Sequence, residues 1–168
     1  MEKVRSKYAH PDFQFIRFRL ADKEFGIDIK NVREVVRTRA IEQGQGSLEF
    51  IEGFAVLRDL RVPVIDLRKR FGFAAKAAQT LIIVSVSSRI AGFAVDSVMD
   101  VETGYGETSL RRSGQGQNSW DYCLFAVVET GGKPIHIINP SGILTPSEAA
   151  AFSRADGSGQ DGIRAGEA

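Results

Sequence analysis

A thiol near an imidazole can make a nucleophile, so Cys123 and His136 are the first residues to weigh for catalysis. Gly131-Gly132 reads as a two-residue hairpin turn, which sets Val127 opposite His136 and Cys123 near Pro140. The two side chains then stand about 13 Å apart along the strand, beyond hydrogen-bonding reach. A buried thiol and a strand histidine are expected instead. Metal binding is no better supplied: Cys123, His10 and His136 show no paired spacing from which a closed site could be built. Gly104, Gly106, Gly114 and Gly116 follow neither phosphate-binding order and precede no crossover helix. No catalytic residue, cofactor or metal is expected.

Arg58, Arg61, Arg68, Lys69 and Arg70 lie close to Phe54, Phe71 and Phe73, and small β-barrels bind single-stranded nucleic acid through such basic and aromatic sets. These phenylalanines fall where a hairpin and a helix should bury them. Lys and Arg number 22 against 21 Asp and Glu, a formal charge of +1, so no global field favours a polyanion. Nucleic-acid binding is therefore the alternative reading. A single cysteine rules out an internal disulfide and fits a reducing compartment. The start, MEKVRSKYAHPD, has no apolar signal region. No run reaches the roughly 18 apolar residues of a membrane span. A cytoplasmic protein without direct membrane insertion is expected.

The elements that would position these residues follow from periodicity. Gln14, Ile16, Phe18 and Leu20 alternate with Arg17 and Arg19, as in a half-buried strand, and Phe25–Ile29 returns from a turn at 21–24. Ile29, Val32, Val35 and Val36 sit at helical spacing, so Lys30–Arg37 reads as a two-turn helix. Residues 43–47 read as a linker. Phe54–Leu57 and Val62–Ile65 form a hairpin around Arg58-Asp59-Leu60-Arg61, with Pro63 implying an edge strand or an unpaired amide. Asp66 is placed to cap a short helix that Gly72 ends. Leu81–Val84, apolar on both faces, pairs with Ile90–Val95. Residues 103–117 read as a long loop. Tyr122–Val128 and Pro134–Ile138 flank Gly131-Gly132, and Asn139-Pro140 repeats the cap. Residues 147–152 add a helical turn, and the polar remainder is expected to be disordered. An internal repeat sets Gly26 on Gly92, Val32 on Val98, Glu34 on Asp100 and Val35 on Val101.

Phe50-Ile51-Glu52-Gly53, Leu57-Arg58, Val62-Pro63-Val64-Ile65-Asp66-Leu67-Arg68 and Phe71-Gly72 together resemble the signature segment of the CheW-like adaptors of bacterial chemotaxis. The resemblance spans roughly residues 12–150. It implies a mainly β fold of two intertwined SH3-like five-stranded barrels with short helices, packed along a hydrophobic seam. It implies a non-catalytic adaptor that couples the cytoplasmic tip of chemoreceptors to the regulatory domain of a CheA-type histidine kinase, at membrane-associated receptor arrays. By position, Val32, Glu34, Val35, Leu57 and Arg58 are the receptor-side residues it implies. Two departures lie beside that surface: Asp59 stands where the family commonly has a turn glycine, and Gln43-Gly44-Gln45-Gly46 replaces the usual prolines before Phe50.

The expected organisation is a lead over 1–11, a CheW-like domain over 12–152 and a tail over 153–168. Having little apolar surface to bury, the tail should be dispensable: deleting 153–168 is expected to leave the thermal midpoint unchanged, and a loss of several degrees would show that it docks.

Overall fold

The computed structural model describes residues 14–37, 41–43, 48–77, 80–86, 88–104 and 118–155. The expected lead, tail end from 156, linker 44–47 and most of the 103–117 loop lie outside them. Among the described residues, eleven strands form two sheets. The first half contributes β1 (Gln14–Leu20), β2 (Lys23–Asp28), β3 (Val32–Arg37), the two-residue β4 (Glu42–Gln43), β5 (Ile51–Leu57), β6 (Leu60–Asp66) and helix α1 (Leu67–Phe71). The second contributes β7 (Thr80–Val86), β8 (Arg89–Val95), β9 (Ser97–Thr103), β10 (Leu124–Thr130), β11 (Lys133–Ile138) and helix α2 (Pro146–Ala155).

The repeat seen in the sequence extends to the topology. One sheet runs β10-β11-β2-β1-β9 and the other β3-β7-β8-β6-β5-β4. Apart from β4, the second order reproduces the first with the halves exchanged. Each sheet therefore takes strands from both halves, crossing at β2–β3 and at β8–β9. The parallel contacts also correspond: Ile137 pairs with Gly26 where β11 meets β2, and Val64 with Gly92 where β6 meets β8. A Cβ on Gly26 would come within 2.6 Å of Ile137 Cδ1 and 2.7 Å of Phe15 Cδ2, so the close approach suits glycine.

Strands that read as apolar on both faces are those that serve two cores. On β7, Leu81 and Ile83 join Ala55, Val62, Val64 and Ala94 in a cluster inside one sheet unit, while Ile82 and Val84 turn to the seam. On β1, Phe18 and Leu20 face the seam, and Phe15 packs with Ala126, Val128, Ile135 and Ile137 in the other unit. The seam is the largest core and is rich in rings. Phe25 stacks on Phe18 and Phe71 and meets Trp120 edge-on, with centroids at 5.7, 5.5 and 5.3 Å. Such contacts add about 0.5–1.5 kcal/mol each beyond area burial.

Three expectations change, and that for Pro63 resolves to its second alternative, an unpaired amide position. Lys30–Arg37 is not a helix: after a 3-10 turn over Ile29–Asn31 it is strand β3, paired with β7. A bulge between Val32 and Glu34 inserts a residue, so Val32 and Val35 share a face at three-residue spacing. The expected four-residue turn is only Arg58-Asp59, with Leu60 and Arg61 already in β6. Strand β6 is interior, between β5 and β8. Pro63 pairs with Phe54 at a non-hydrogen-bonded position of that hairpin, and β8 pairing begins only at Val64, so no ladder bond requires its amide. Finally, α2 is longer than the expected turn and reaches Ala155.

The caps are where the sequence placed them. Asp66 accepts from the amides of Arg68 and Lys69 at 2.9 and 3.3 Å, and Gly72 closes α1 at φ 78°. Asn139 accepts from the Ser141 amide at 3.1 Å ahead of a 3-10 turn. Burial, then a hydrogen bond with Glu52, pushes the Asp66 carboxyl above its ordinary range. Removing the acceptor in Asp66→Ala or Asn139→Ala is expected to cost about 1 kcal/mol. Asp66→Asn keeps an acceptor and removes the charge, so chemical denaturation should find it near the parent in acid. Because the folded value is raised, the parent loses stability as pH rises through it, and the Asn variant should not.

Candidate functional site

Cys123 and His136 do not form a catalytic pair. A bulge between Leu124 and Ala126 takes up one residue of β10, so Cys123 meets Asn139 and not Pro140, its carbonyl accepting from the Asn139 amide at 2.8 Å. His136 remains opposite Val127 and packs against the rings of Phe25 and Trp120. The Cys123 thiol is buried, donates to the Trp120 carbonyl at 3.2 Å, and is pushed up to about 12 by burial. A thiol so protonated is no nucleophile.

The basic cluster is consumed by the fold. Arg68 makes a two-pronged pair with Asp96 and donates to the Ala74 carbonyl at 2.8 Å. Arg70 forks onto Glu148 at 2.8 and 3.0 Å and lies over the rings of Phe50 and Tyr122, holding the start of α2. Lys69 pairs with Glu52 at 2.6 Å. Arg61 stacks on Phe54 and pairs with Glu42. Phe54 and Phe71 are buried and Phe73 is half-buried against the seam. With cations paired and ring faces covered, this is no platform for stacked bases.

At the edge of β3 the surface brings polar and apolar groups together. Arg58, whose side chain is 85% exposed, donates to Glu34 Oε2 at 3.1 Å. The bond joins the tip of the β5–β6 hairpin to β3, strands at different ends of the sheet order. Glu34 pairs with Ile83 and Val36 with Leu81, so both lie on the β3 face that looks to the cluster of Ala55, Val62 and Val64. Leu57 is half-buried against the same cluster. Glu34, Leu57 and Arg58 therefore meet on one side. Val32 and Val35, opposite Val84 and Ile82, lie on the other face; Val32 packs on the seam and Val35 is 40% exposed. Of the five expected residues the structure brings three together and sets two behind them.

Sequence reasoning missed two neighbours, Val56 and Leu60, which flank the turn and are 55% and 59% exposed. Reading the turn as four residues hid Leu60 as a strand position. Both turn residues have positive φ, 46° at Arg58 and 69° at Asp59, which makes this a tight type I′-like turn built without glycine.

Comparison with known proteins gives this site its setting. The CheW-like domain family matches residues 14–148. Chemotaxis protein CheW of Klebsiella aerogenes is 34% identical over 91 residues, covering 52% of this chain and 55% of that protein. Protein FrzA of Myxococcus xanthus is 26% identical over 157 residues, covering 91% of this chain and 98% of that one. The chain spans just over half the length of the Klebsiella and Treponema pallidum CheW proteins it matches, 55% and 51%. Among solved structures, the scaffolding protein TtCheW of Thermoanaerobacter tengcongensis superposes with a TM-score of 0.69 at 31% identity, over 76% of this chain and 89% of that one. The chain belongs to the CheW-like family.

An L-residue in the left-handed region carries a cost that glycine avoids, roughly 1–2 kcal/mol and less for aspartate. Asp59→Gly is expected to leave the fold intact and raise stability by up to about 1 kcal/mol; urea titration that shows a loss would mean Asp59 makes a contact worth more than the backbone strain.

Proposed function

We propose that the protein is a non-catalytic adaptor that binds the cytoplasmic tip of a chemoreceptor on one surface and the regulatory domain of a CheA-type histidine kinase on another. Membership of the CheW-like family supports this reading, as does the likeness to TtCheW, itself a scaffolding protein. The observation that carries it is the exposed Glu34–Arg58 pair beside Leu57, bordering a half-buried apolar rim. An apolar surface edged by charge suits an amphipathic helix, the apolar part supplying affinity and the charges setting register. Val35 and Val32 extend the surface around the edge of β3. The place of action is the cytoplasm, at receptor arrays.

Coupling in such an adaptor is mechanical and thermodynamic. It requires both partners to be held at once in a fixed relation, so that occupancy of the receptor changes the state in which the kinase is held. The interleaved sheets supply that fixed relation, since each sheet takes strands from both halves of the chain.

The test is a charge-reversal cycle read by calorimetry against a soluble receptor-tip fragment from the same organism. An exposed pair contributes only about 0–1 kcal/mol to stability, so Glu34→Arg and Arg58→Glu should leave thermal midpoints close to the parent. Each should weaken receptor binding, and the double reversal should recover part of the loss. Binding of the kinase domain should be unaffected. Undiminished receptor binding by both single variants would contradict the assignment of this surface.

A further inference from the structure

The two sheets share one backbone plan. The repeat that sets Gly26 on Gly92 carries β1, β2 and β3 onto β7, β8 and β9. The registers agree pair by pair. Arg17 stands opposite Gly26 as Ile83 does opposite Gly92, and Phe15 opposite Glu102 as Leu81 does opposite Val36. In each sheet a hairpin from one half of the chain is flanked by an edge strand from the other, β1–β2 by β9 and β7–β8 by β3. A hairpin cannot take the edge strand of its own half, because β3 would then run parallel to β2 on the far side of β1. Only Ile29–Asn31 join those two strands, at most about 10 Å of chain, against roughly 20 Å for the return. A second copy can supply that strand. The first halves of two chains would then pair with each other, and the second halves likewise, on the same ladder registers. Such exchange between copies is a low-cost route to dimers. The backbone does not discriminate against it, so side chains must.

At three corresponding positions the side chains differ in kind. Arg17 on β1 pairs with Glu24 on β2 and, at 2.6 Å, with Glu102 on β9. Arg19 reaches the second oxygen of Glu24 at 3.3 Å. The Arg17 and Glu24 side chains are only 13% and 8% exposed. Their counterparts Ile83 and Ile90, with Val36 in the place of Glu102, pack in one apolar cluster. In both trios two residues come from one half and the third from the other. Pairing like halves would break both. Val36 would stand beside Arg17 and Glu24, and Glu102 would stand beside Ile83 and Ile90. A carboxylate withdrawn from water without a partner costs far more than a satisfied pair. The Arg68–Asp96 pair obeys the same rule. Its counterparts are Ser141 and Lys30, so joining two first halves would set Arg68 against Lys30.

We propose that the Arg17–Glu24–Glu102 network selects the partner of each half, directing the first half of the chain to its own second half and away from a second copy. Replacing a buried ionic network by well-packed apolar groups is often neutral or stabilising, so its role here is selection. The consequence is one body with two unlike faces, whatever binds them. This inference does not rest on the receptor-side reading.

The test refolds the full chain from urea at high concentration and reads its size by light scattering after size-exclusion chromatography. Arg17→Ile, Glu24→Ile and Glu102→Val together install the counterpart trio and remove the distinction. The triple variant is expected to keep its circular dichroism and to raise the dimer fraction about tenfold or more over the parent. Val36→Glu with Glu102→Val moves the carboxylate into the first half, so like halves become the matched ones and the dimer should predominate. A cysteine pair identifies the exchange. Gln14 stands opposite Thr103 and Arg37 opposite Thr80, in different sheets, whereas paired first halves set Gln14 of one copy opposite Arg37 of the other. Gln14→Cys with Arg37→Cys should therefore give disulfide-linked dimers in both variant backgrounds and not in the parent. Cys123 is buried and does not compete. A triple variant that refolds to monomer as completely as the parent, without the cross-link, would overturn the proposal. A triple variant that cannot refold would overturn it too, since the network would then be needed for the fold itself. So would a double variant that stays monomeric or does not refold, or a parent that forms the cross-link.

Discussion

Arg68 is buried, and its charge is met by Asp96, the one residue between β8 and β9 where the chain leaves one sheet for the other. The two-pronged bond ties α1, which follows directly from β6, to that crossing point. Asp96 also accepts from the Ala21 amide at 2.8 Å and donates its own amide to the Arg19 carbonyl at 3.2 Å, so the β1–β2 turn joins the same knot. An ion pair taken from water stabilises only when its hydrogen bonds are well satisfied, and removing one partner costs several kcal/mol. Here each oxygen of Asp96 has a donor. The Arg68 guanidinium, more than any other group, holds the Asp96 carboxyl below its ordinary range. That stabilisation is present above the usual carboxylate range and is lost as pH falls through the depressed value.

Around this knot the duplication becomes one body. Strands exchanged between halves leave neither sheet able to assemble from half a chain, and the seam of Phe25, Phe71, Phe93 and Trp120 receives side chains from both sheets. Sequence divergence within that frame gives the two halves different surfaces. The β10–β11 hairpin has a glycine turn with charged flanks where the β5–β6 tip carries Arg58 with Val56 and Leu60. An adaptor needs such asymmetry: one frame, two unlike faces, and a fixed relation between them.

Much of this was legible from residue types. Alternation in β1, the Gly131-Gly132 turn, the Asp66 and Asn139 caps and the repeat all rest on local physics, and the structure has them. The error at β3 has a local cause too. A bulge sets Val32 and Val35 on one face three residues apart, which is the spacing of a helical turn, and periodicity alone cannot separate the two. The corresponding Val98 and Val101 on β9 repeat the device, opposite Phe18 and Ile16. Within the site, Glu34 and Arg58 were both named by the family resemblance, and the structure pairs them, although Glu34 reaches Arg58 from a strand. Arg68–Asp96, Trp120 in the seam and the exposure of Val56 and Leu60 were not legible. Each depends on tertiary approach between distant segments, and no local pattern reports it.

Trp120, the one tryptophan of the chain, lies in the seam, and the amides of β7 and β11 lie in different sheets. Urea unfolding followed by Trp120 fluorescence, alongside native-state hydrogen exchange at Ile83 and Ile137, tests directly whether the two sheets and their seam are one unit. Interleaved strands and a shared knot predict the same unfolding free energy and the same urea dependence at all three places. Exchange at one sheet with a distinctly lower free energy, while Trp120 remains native, would show that the sheets open separately and that the fixed relation between the two faces does not exist.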